Sequence, residues 1–494
     1  MAAPKVETEI AELKYFAGGR WRASKSRERQ AITNPATGRV IAEVPFCTAE
    51  EVEQAVEAAA AAFPAWRDTP VTQRVRILFR YREILDRNFE ELSRMVTREQ
   101  GKTLEEARGS VRRGIEVVEF ACGIPSLLMG ETVENISRGV DTYSIRQPLG
   151  VCAGIPPFNF PAMIPMWMFP LAVACGNTFV LKPSEKAPMT ATRLGELFAE
   201  AGLPQGVLNV VHGAKQVAEQ LLAHPRVKAV SFVGSSPVAR YVYATAAAQG
   251  KRVQALGGAK NHIVVMPDAD LSSTVEAIIG SAFGCAGERC LAGSVVVAVG
   301  EVAEPLLAQL RQRAARLAVG DGAAPATEMG PVITAAHRER VLRYIDIGES
   351  EGAKLLLDGR KGSAGEGFFL APTIFDEVKP GSTIHREEIF GPVLCVIRVK
   401  DLEAALAVVN SSEFGNASSI FTNNAAAARE YCSRVEAGML GVNVGVAAPM
   451  PFLPFAGWKG SFYGDLHAHG KDAVRFYTEQ KVITSRHRWK EGTR

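Results

Sequence analysis

No stretch of this sequence repeats at a fixed period, and none carries the Gly-x-Gly-x-x-Gly or Walker pattern of the common phosphate-binding loops. The ordinary dinucleotide fingerprint is therefore missing. Cysteine is sparse: Cys47, Cys122, Cys152, Cys175, Cys285, Cys290, Cys395 and Cys432 are scattered, with no Cys-x-x-Cys pair. That spacing excludes a disulfide framework and a zinc knuckle, leaves no metal to expect, and points to a reducing, cytoplasmic setting. An excess of one charge is also missing. Lys plus Arg number 56 against 53 Asp plus Glu, a net charge of +3, which gives no electrostatic reason to expect nucleic acid or an anionic membrane. The longest apolar stretch, 160–180, is interrupted by Pro161, Pro165 and Pro170 and reads as buried core instead of a membrane span. The first residues carry Glu7, Glu9 and Glu12 without an apolar run, unlike a signal or transit peptide.

What is present is alternation. Short apolar runs at 150–155, 178–183, 207–213 and 229–234 read as buried strands, and 190–202 and 214–225 have apolar residues at helical spacing. A second series includes 261–267, 294–300 and 391–399. Strand–helix alternation predicts parallel sheets covered on both faces, so two α/β domains are expected, with a boundary near Gly257 and Gly258. Residues 141–148 and about 474–488 look extended and are expected to form a separate sheet or arm.

Three places suggest chemistry. The run at 229–234 enters Gly234, Ser235 and Ser236 and then a helical pattern, which suits a phosphate but equally suits a plain helix cap. Lys182 and Glu185 straddle a proline at a strand end, where a carboxylate can hold ribose hydroxyls or merely form a surface ion pair. Cys290 lies among Gly284, Ala286, Gly287, Ala292 and Gly293, which let substrate approach its sulfur, and the adjacent Arg289 is positioned to favour a thiolate. An inert buried thiol is the alternative, and Cys285 fits it well.

Together, PFNFP (157–161), KPSE (182–185), FVGSS (232–236), GERC (287–290) and EEIFGPV (387–393) resemble the signature set of the aldehyde dehydrogenase superfamily, in order along essentially the whole chain. The resemblance implies two doubly wound parallel-sheet domains plus a β-arm. Residues 1–130 and 150–257 would bind NAD, 258–450 would carry Cys290, and 131–149 with 471–494 would join subunits into a homodimer or homotetramer. It assigns Cys290 as nucleophile and Asn159 to the oxyanion hole. Lys182 and Glu185 fall to the adenosine ribose of NAD, Gly234 and Ser235 to the pyrophosphate, and Phe158, Glu388 and Phe390 to the remaining cofactor contacts. A Glu at the ribose repels a 2′-phosphate, which favours NAD over NADP.

One departure is informative. Most of the family activates water with the Glu of an E-L-G-G-K sequence, whereas QALGGAKNH (254–262) places Ala255 and Leu256 at the two candidate positions. Neither can act as a general base. Slow hydrolysis argues for transfer to a better nucleophile, the thiolate of coenzyme A. GAKNH (258–262), 113–130, 175–185 and 451–484 resemble the CoA-acylating methylmalonate-semialdehyde dehydrogenase branch. That resemblance implies malonate-type semialdehyde substrates whose carboxylate is bound by Arg289 and Arg113, with Arg112 as the register alternative to Arg113. Pro156 and Ala239 depart from the branch, where Thr and Gly are more usual. The rival readings are a hydrolytic enzyme using Glu288 or Glu388 as base, and a catalytically silent cofactor-binding relative.

Overall fold

The structure, a computed structural model, describes residues 10–362 and 366–487. The first sheet is built on five parallel strands, Val151–Ile155, Thr178–Leu181, Leu208–Val210, Val227–Val233 and Arg252–Leu256. Their buried, β-branched runs suit a sheet covered on both faces. Helices such as Met189–Glu200, Lys215–Ala223 and Ser236–Ala247 supply the crossovers, close to where the sequence placed them. Sequence reasoning missed the edges. Phe462–Gly464 pairs antiparallel beyond Arg252–Leu256, and Tyr15–Ala17 and Arg20–Arg22 close the other side.

The chain winds outward from Val151–Ile155 in one direction and then returns to add Val227–Val233 on its other side. The strand order therefore reverses between these two neighbours, and the carboxyl ends there open a crevice. PFNFP leaves the first of these strands and Gly234 leaves the second.

The second sheet holds Asn261–Val265, Gly293–Val299, Thr373–Asp376, Val393–Val399, Ala417–Phe421 and Met439–Val442 in parallel, with Lys354–Leu357 antiparallel at one edge. Only residues 257–260 separate the last parallel strand of the first sheet from the first strand of the second. So short a link leaves no room for the chain to turn back. The carboxyl ends of the first sheet thus meet the amino ends of the second, which is where the Cys290 loop and EEIFGPV lie.

Helix Met163–Ala174 occupies the apolar stretch and is buried all round after Met163. Pro165 sits in its first turn and Pro170 lies within it, so the prolines do not break the run as the sequence reading expected. Among the described residues no helix is long and apolar enough to cross a membrane.

A third sheet pairs Thr478–Arg486 antiparallel with Val140–Pro148, which also pairs with Thr132–Ser137. The extended reading of 474–488 needs correction at its start. Gly470–Phe476 is helical: the chain turns at His469 (φ 69°) into a short helix just before the strand. Residues 1–9 and 488–494 of the expected cofactor domain and arm lie outside the described residues.

Candidate active site

On the first sheet, Lys182 is buried and donates to the Pro183 and Gly213 carbonyls at 2.8 and 2.6 Å. Its Nζ lies 3.6 Å from Glu185 Oε2, so the two side chains form a pair just beyond the strand end, with Glu185 partly open to solvent. Burial pushes the Lys182 ammonium down and the Glu185 charge opposes that shift. Ser235 caps helix Ser236–Ala247 without a side-chain cap bond, leaving its first N–H groups to other acceptors. Ser236 Oγ instead receives the Gly258 N–H at 2.8 Å and donates to the Gly460 carbonyl at 2.7 Å, tying this helix to the link between the sheets.

The loop that leads to Cys290 is strained. Cys285, Ala286 and Gly287 all have positive φ (50°, 52° and 75°). Gly287 is required for a second reason, since a Cβ there would run into the Gly391 carbonyl, and the loop thus lies backbone to backbone on EEIFGPV. Strain of this kind persists only where surroundings over-determine it. At the strained segment Glu106 Oε1 accepts the Cys285 N–H at 2.7 Å, and two residues with no role assigned from sequence hold the chain just beyond it. Asn261 Nδ2 donates to the carbonyls of Cys290 and Ala292, both at 2.9 Å, and Asn416 Nδ2 donates to the Cys290 carbonyl at 2.8 Å. Asn261 was visible within GAKNH, but no local pattern discloses what its amide touches.

Asn159 is 3% exposed and donates to the Glu288 carbonyl at 2.8 Å, while its own carbonyl accepts from the buried Lys102 Nζ at 2.7 Å. The amide thus stands against the Cys290 loop. The Phe158 and Phe390 rings meet edge-on at 5.9 Å. Phe390 is itself left-handed (φ 59°), with its carbonyl 2.6 Å from His337 Nε2.

Burial dominates the electrostatics. It pushes the Cys290 thiol up to about 12, with the Glu388 charge as the next cause and Arg289 opposing it more weakly. The expectation that Arg289 holds a Cys290 thiolate therefore needs correction. Its Nε donates to Cys285 Sγ at 3.2 Å and its Nη2 pairs with Glu106 Oε1 at 2.8 Å. Glu388 is raised to about 7, chiefly by burial, and accepts from the Ala259 N–H at 2.9 Å. Glu288 is raised to about 8, again by burial, and is held by Gln100 at 3.0 Å and the Ile333 N–H at 3.1 Å. A carboxyl mostly protonated near neutrality and already engaged on both oxygens is a poor water base.

A cavity of about 280 Å³ opens onto Cys290 and is lined by Arg113, Arg289, Phe160, Trp167 and His469 among others. Arg113 reaches the Ala448 and Pro449 carbonyls at 3.2 Å, and Glu116 lies 3.6 Å from it. Arg112 instead pairs with Asp86 at 3.0 Å and is not among the residues that line the cavity. Strand alternation sorts the missing-base positions. Ala255 packs into the cluster with Ile155 and Phe232, whereas Leu256 joins the cluster against which Cys290 packs. The position that shares a cluster with Cys290 is thus an apolar Leu.

The description "Aldehyde dehydrogenase family" matches residues 21–483. This chain belongs to the aldehyde dehydrogenase family, and it is an enzyme with that family's fold. Malonate-semialdehyde dehydrogenase 2 of Geobacillus thermodenitrificans is 58% identical, covering 97% of this chain and 100% of that one. The malonate-semialdehyde dehydrogenase of Halalkalibacterium halodurans is 55% identical over 96% of this chain and 98% of that one. Among solved structures, methylmalonate-semialdehyde dehydrogenase from Oceanimonas doudoroffii superposes with TM-score 0.96 at 46% identity, covering 97% and 99% of the two chains. A protein from Sinorhizobium meliloti 1021 assigned to the same activity, complexed with NAD, gives TM-score 0.96 at 47% identity over 99% and 100%.

Proposed function

We propose that this chain oxidises malonate semialdehyde, or its methyl homologue, with NAD and passes the acyl group to coenzyme A with loss of CO2. The observation that carries this reading is the cavity itself. Its lining brings Cys290 together with Arg113 and Arg289, and Leu256, not a carboxylate, belongs to the apolar cluster against which Cys290 packs.

The groups present suit NAD. The Lys182–Glu185 pair fits two ribose hydroxyls, the uncapped start of helix Ser236–Ala247 fits a pyrophosphate, and Phe158, Phe390 and Glu388 would border the nicotinamide end. When bound, NAD supplies the hydride acceptor and a cationic ring that favours the thiolate. On this reading 1–130 with 150–257 is the cofactor domain, 258–450 the catalytic domain, and 131–149 with 471–494 an arm joining subunits in a dimer or tetramer. The eight unpaired thiols suit a reducing cytoplasm.

Cys290 Sγ adds to the aldehyde carbon, and the resulting oxyanion is met by the Asn159 amide and the Cys290 N–H. Arg113 and Arg289 hold the substrate carboxylate and so fix which face the sulfur meets. Oxidation leaves a β-carboxy thioester on Cys290. Its C–C bond to the carboxylate breaks, CO2 departs, and the thioester carbonyl receives the electron pair before the carbon is protonated. The thiolate of coenzyme A then displaces Cys290, giving acetyl-CoA, or propionyl-CoA from the methyl homologue.

The test is NADH production from malonate semialdehyde with and without coenzyme A, with the product identified. Turnover should depend on coenzyme A and end in acetyl-CoA. Equal turnover and a free acid in both cases would refute the acyl transfer and favour hydrolysis with Glu388 as base. Cys290→Ala should abolish turnover while NAD still binds, and unchanged turnover would leave a silent relative as the better reading.

A further inference from the structure

His469 stands apart from every residue that the proposed chemistry uses. It is 3% exposed, lines the Cys290 cavity, and neither ring nitrogen has a hydrogen-bond partner. Its ring stands edge-to-face on Trp167 at 4.2 Å, which packs the imidazole but offers at most a weak π acceptor. Leaving a buried donor and acceptor unpaired is costly, and such groups ordinarily find a partner. Arg113 is close enough for its charge to bear on the ring; together with burial it pushes the imidazole down to about 3. The ring is therefore neutral at ordinary pH, with one N–H to donate. Its backbone has positive φ (69°) and caps the start of helix Gly470–Phe476.

Resting on the semialdehyde reading above, we infer that His469 is a specificity-determining residue that donates an N–H to the substrate carboxylate beside Arg113 and Arg289. The two guanidinium groups already have partners, Glu106 for one and backbone carbonyls for the other. The imidazole has none, so its bond to the carboxylate is gained without breaking another. A small aldehyde that lacks the carboxylate leaves it unpaired, and the site discriminates against that aldehyde for the same reason.

The test compares KM for malonate semialdehyde and for propanal in the wild type, His469→Phe and His469→Asn. Phe keeps the ring contact with Trp167 and removes the nitrogen, while Asn keeps a donor. His469→Phe should raise KM for malonate semialdehyde about tenfold or more, the scale of a hydrogen bond to a charged group, and leave propanal unchanged or improved. His469→Asn should recover most of the loss. Malonate binding to the same proteins, followed by isothermal titration calorimetry, should weaken in parallel, and this needs no turnover. Equal changes for both aldehydes, or unaltered malonate binding in His469→Phe, overturn the inference alone. A wild type that handles propanal as well as malonate semialdehyde overturns the semialdehyde reading with it. If His469→Phe does not fold, His469→Gln takes its place, and loss of the malonate preference with a Gln donor present also overturns the inference.

Discussion

Arg289 Nη2 lies 2.8 Å from Glu106 Oε1, so the guanidinium beside Cys290 is already engaged within the protein. The same Glu106 oxygen accepts the Cys285 N–H at 2.7 Å, and its other oxygen completes a capping box with Thr103 at the start of helix Leu104–Cys122. One carboxylate thus orients the arginine, the nucleophile loop and the helix that carries Arg113. Replacing Arg289 by Lys keeps the charge and loses the planar fork. KM for malonate semialdehyde should rise about tenfold, with a smaller change for propanal. Glu106→Ala should be the more damaging change, costing about 3–5 kcal/mol of stability, because a largely buried cation loses its partner. Denaturant melts of both variants check the order, and an Arg289→Lys enzyme with unchanged KM would remove Arg289 from substrate binding.

Asn261 offers a cleaner separation of rate from affinity. Its amide fixes the carbonyls of Cys290 and Ala292, and its oxygen accepts the Ala417 N–H at 3.0 Å. Asn261→Ala should lower kcat about tenfold or more by loosening the sulfur, with KM for aldehyde and NAD little altered, since misplacement by a fraction of an ångström is enough to slow attack. Asn261→Asp should not rescue, because a carboxylate cannot donate. Steady-state kinetics distinguish this from general unfolding, which would reduce active enzyme and leave kcat per active site unchanged.

The two asparagines also show where the sequence stops being legible. The five motifs containing Cys290, Asn159, Lys182, Ser235 and Glu388 are local words, and they lead to the family and its fold. The strands followed from β-branched runs. The partners of the Cys290 carbonyl, by contrast, come from positions 29 and 126 residues away in the chain, and no spacing rule joins them. The same holds for Glu106 and Arg289, 183 residues apart. Ala255 and Leu256 looked equivalent in sequence because only the pleat of a formed strand decides which faces the cysteine. Residues 474–476, the end of helix Gly470–Phe476, were read as extended because a positive-φ residue before a short helix is a backbone event without a side-chain signature.

Cys290 reactivity should depend on Glu388. Burial is the main reason the thiol is raised to about 12 without cofactor, and the neighbouring carboxylate is the second. Removing that negative charge favours the thiolate and lowers the thiol's titration. The rate of iodoacetamide alkylation, corrected with Cys290→Ala for the exposed Cys432, should rise steadily with pH in the wild type. In Glu388→Gln the whole profile should move to lower pH. A shift to higher pH would mean that Glu388 acts on Cys290 as a base and not as a repelling charge.

Stability should also carry the mark of the buried carboxyls. Glu288 is raised from 4.5 to about 8, and Glu99 and Glu388 to about 7, each mainly by burial. Between about pH 4.5 and 8 the unfolded chain has lost these protons while the native chain keeps them. Their contribution is therefore complete at low pH and is lost as pH rises through the native values. Buried His262 and His385, lowered to about 3 and about 4, act in the opposite sense below pH 6.5, so the raw profile mixes both. The difference between Glu288→Gln and wild type isolates one group. The variant's Tm relative to wild type should climb from pH 5 to pH 8.5, and a flat or falling difference would contradict a protonated Glu288.

On the proposed reading, cofactor choice should rest on Glu185, whose Oε2 lies 3.6 Å from Lys182 Nζ. A carboxylate there accepts from ribose hydroxyls and repels a 2′-phosphate, while Lys182 is committed to the Pro183 and Gly213 carbonyls and cannot swing out to receive one. Glu185→Gln removes the repulsion and keeps a polar end. KM for NAD should rise several-fold, and turnover with NADP should increase about tenfold, roughly the effect of removing one charge at close range in a partly solvated site. Lys182→Met should instead weaken both cofactors, because Glu185 loses its orienting cation, and it should lower Tm through two unpaired buried carbonyls. The two variants therefore move the NAD-to-NADP ratio differently, and a Glu185→Gln enzyme with an unaltered ratio would place the discrimination elsewhere.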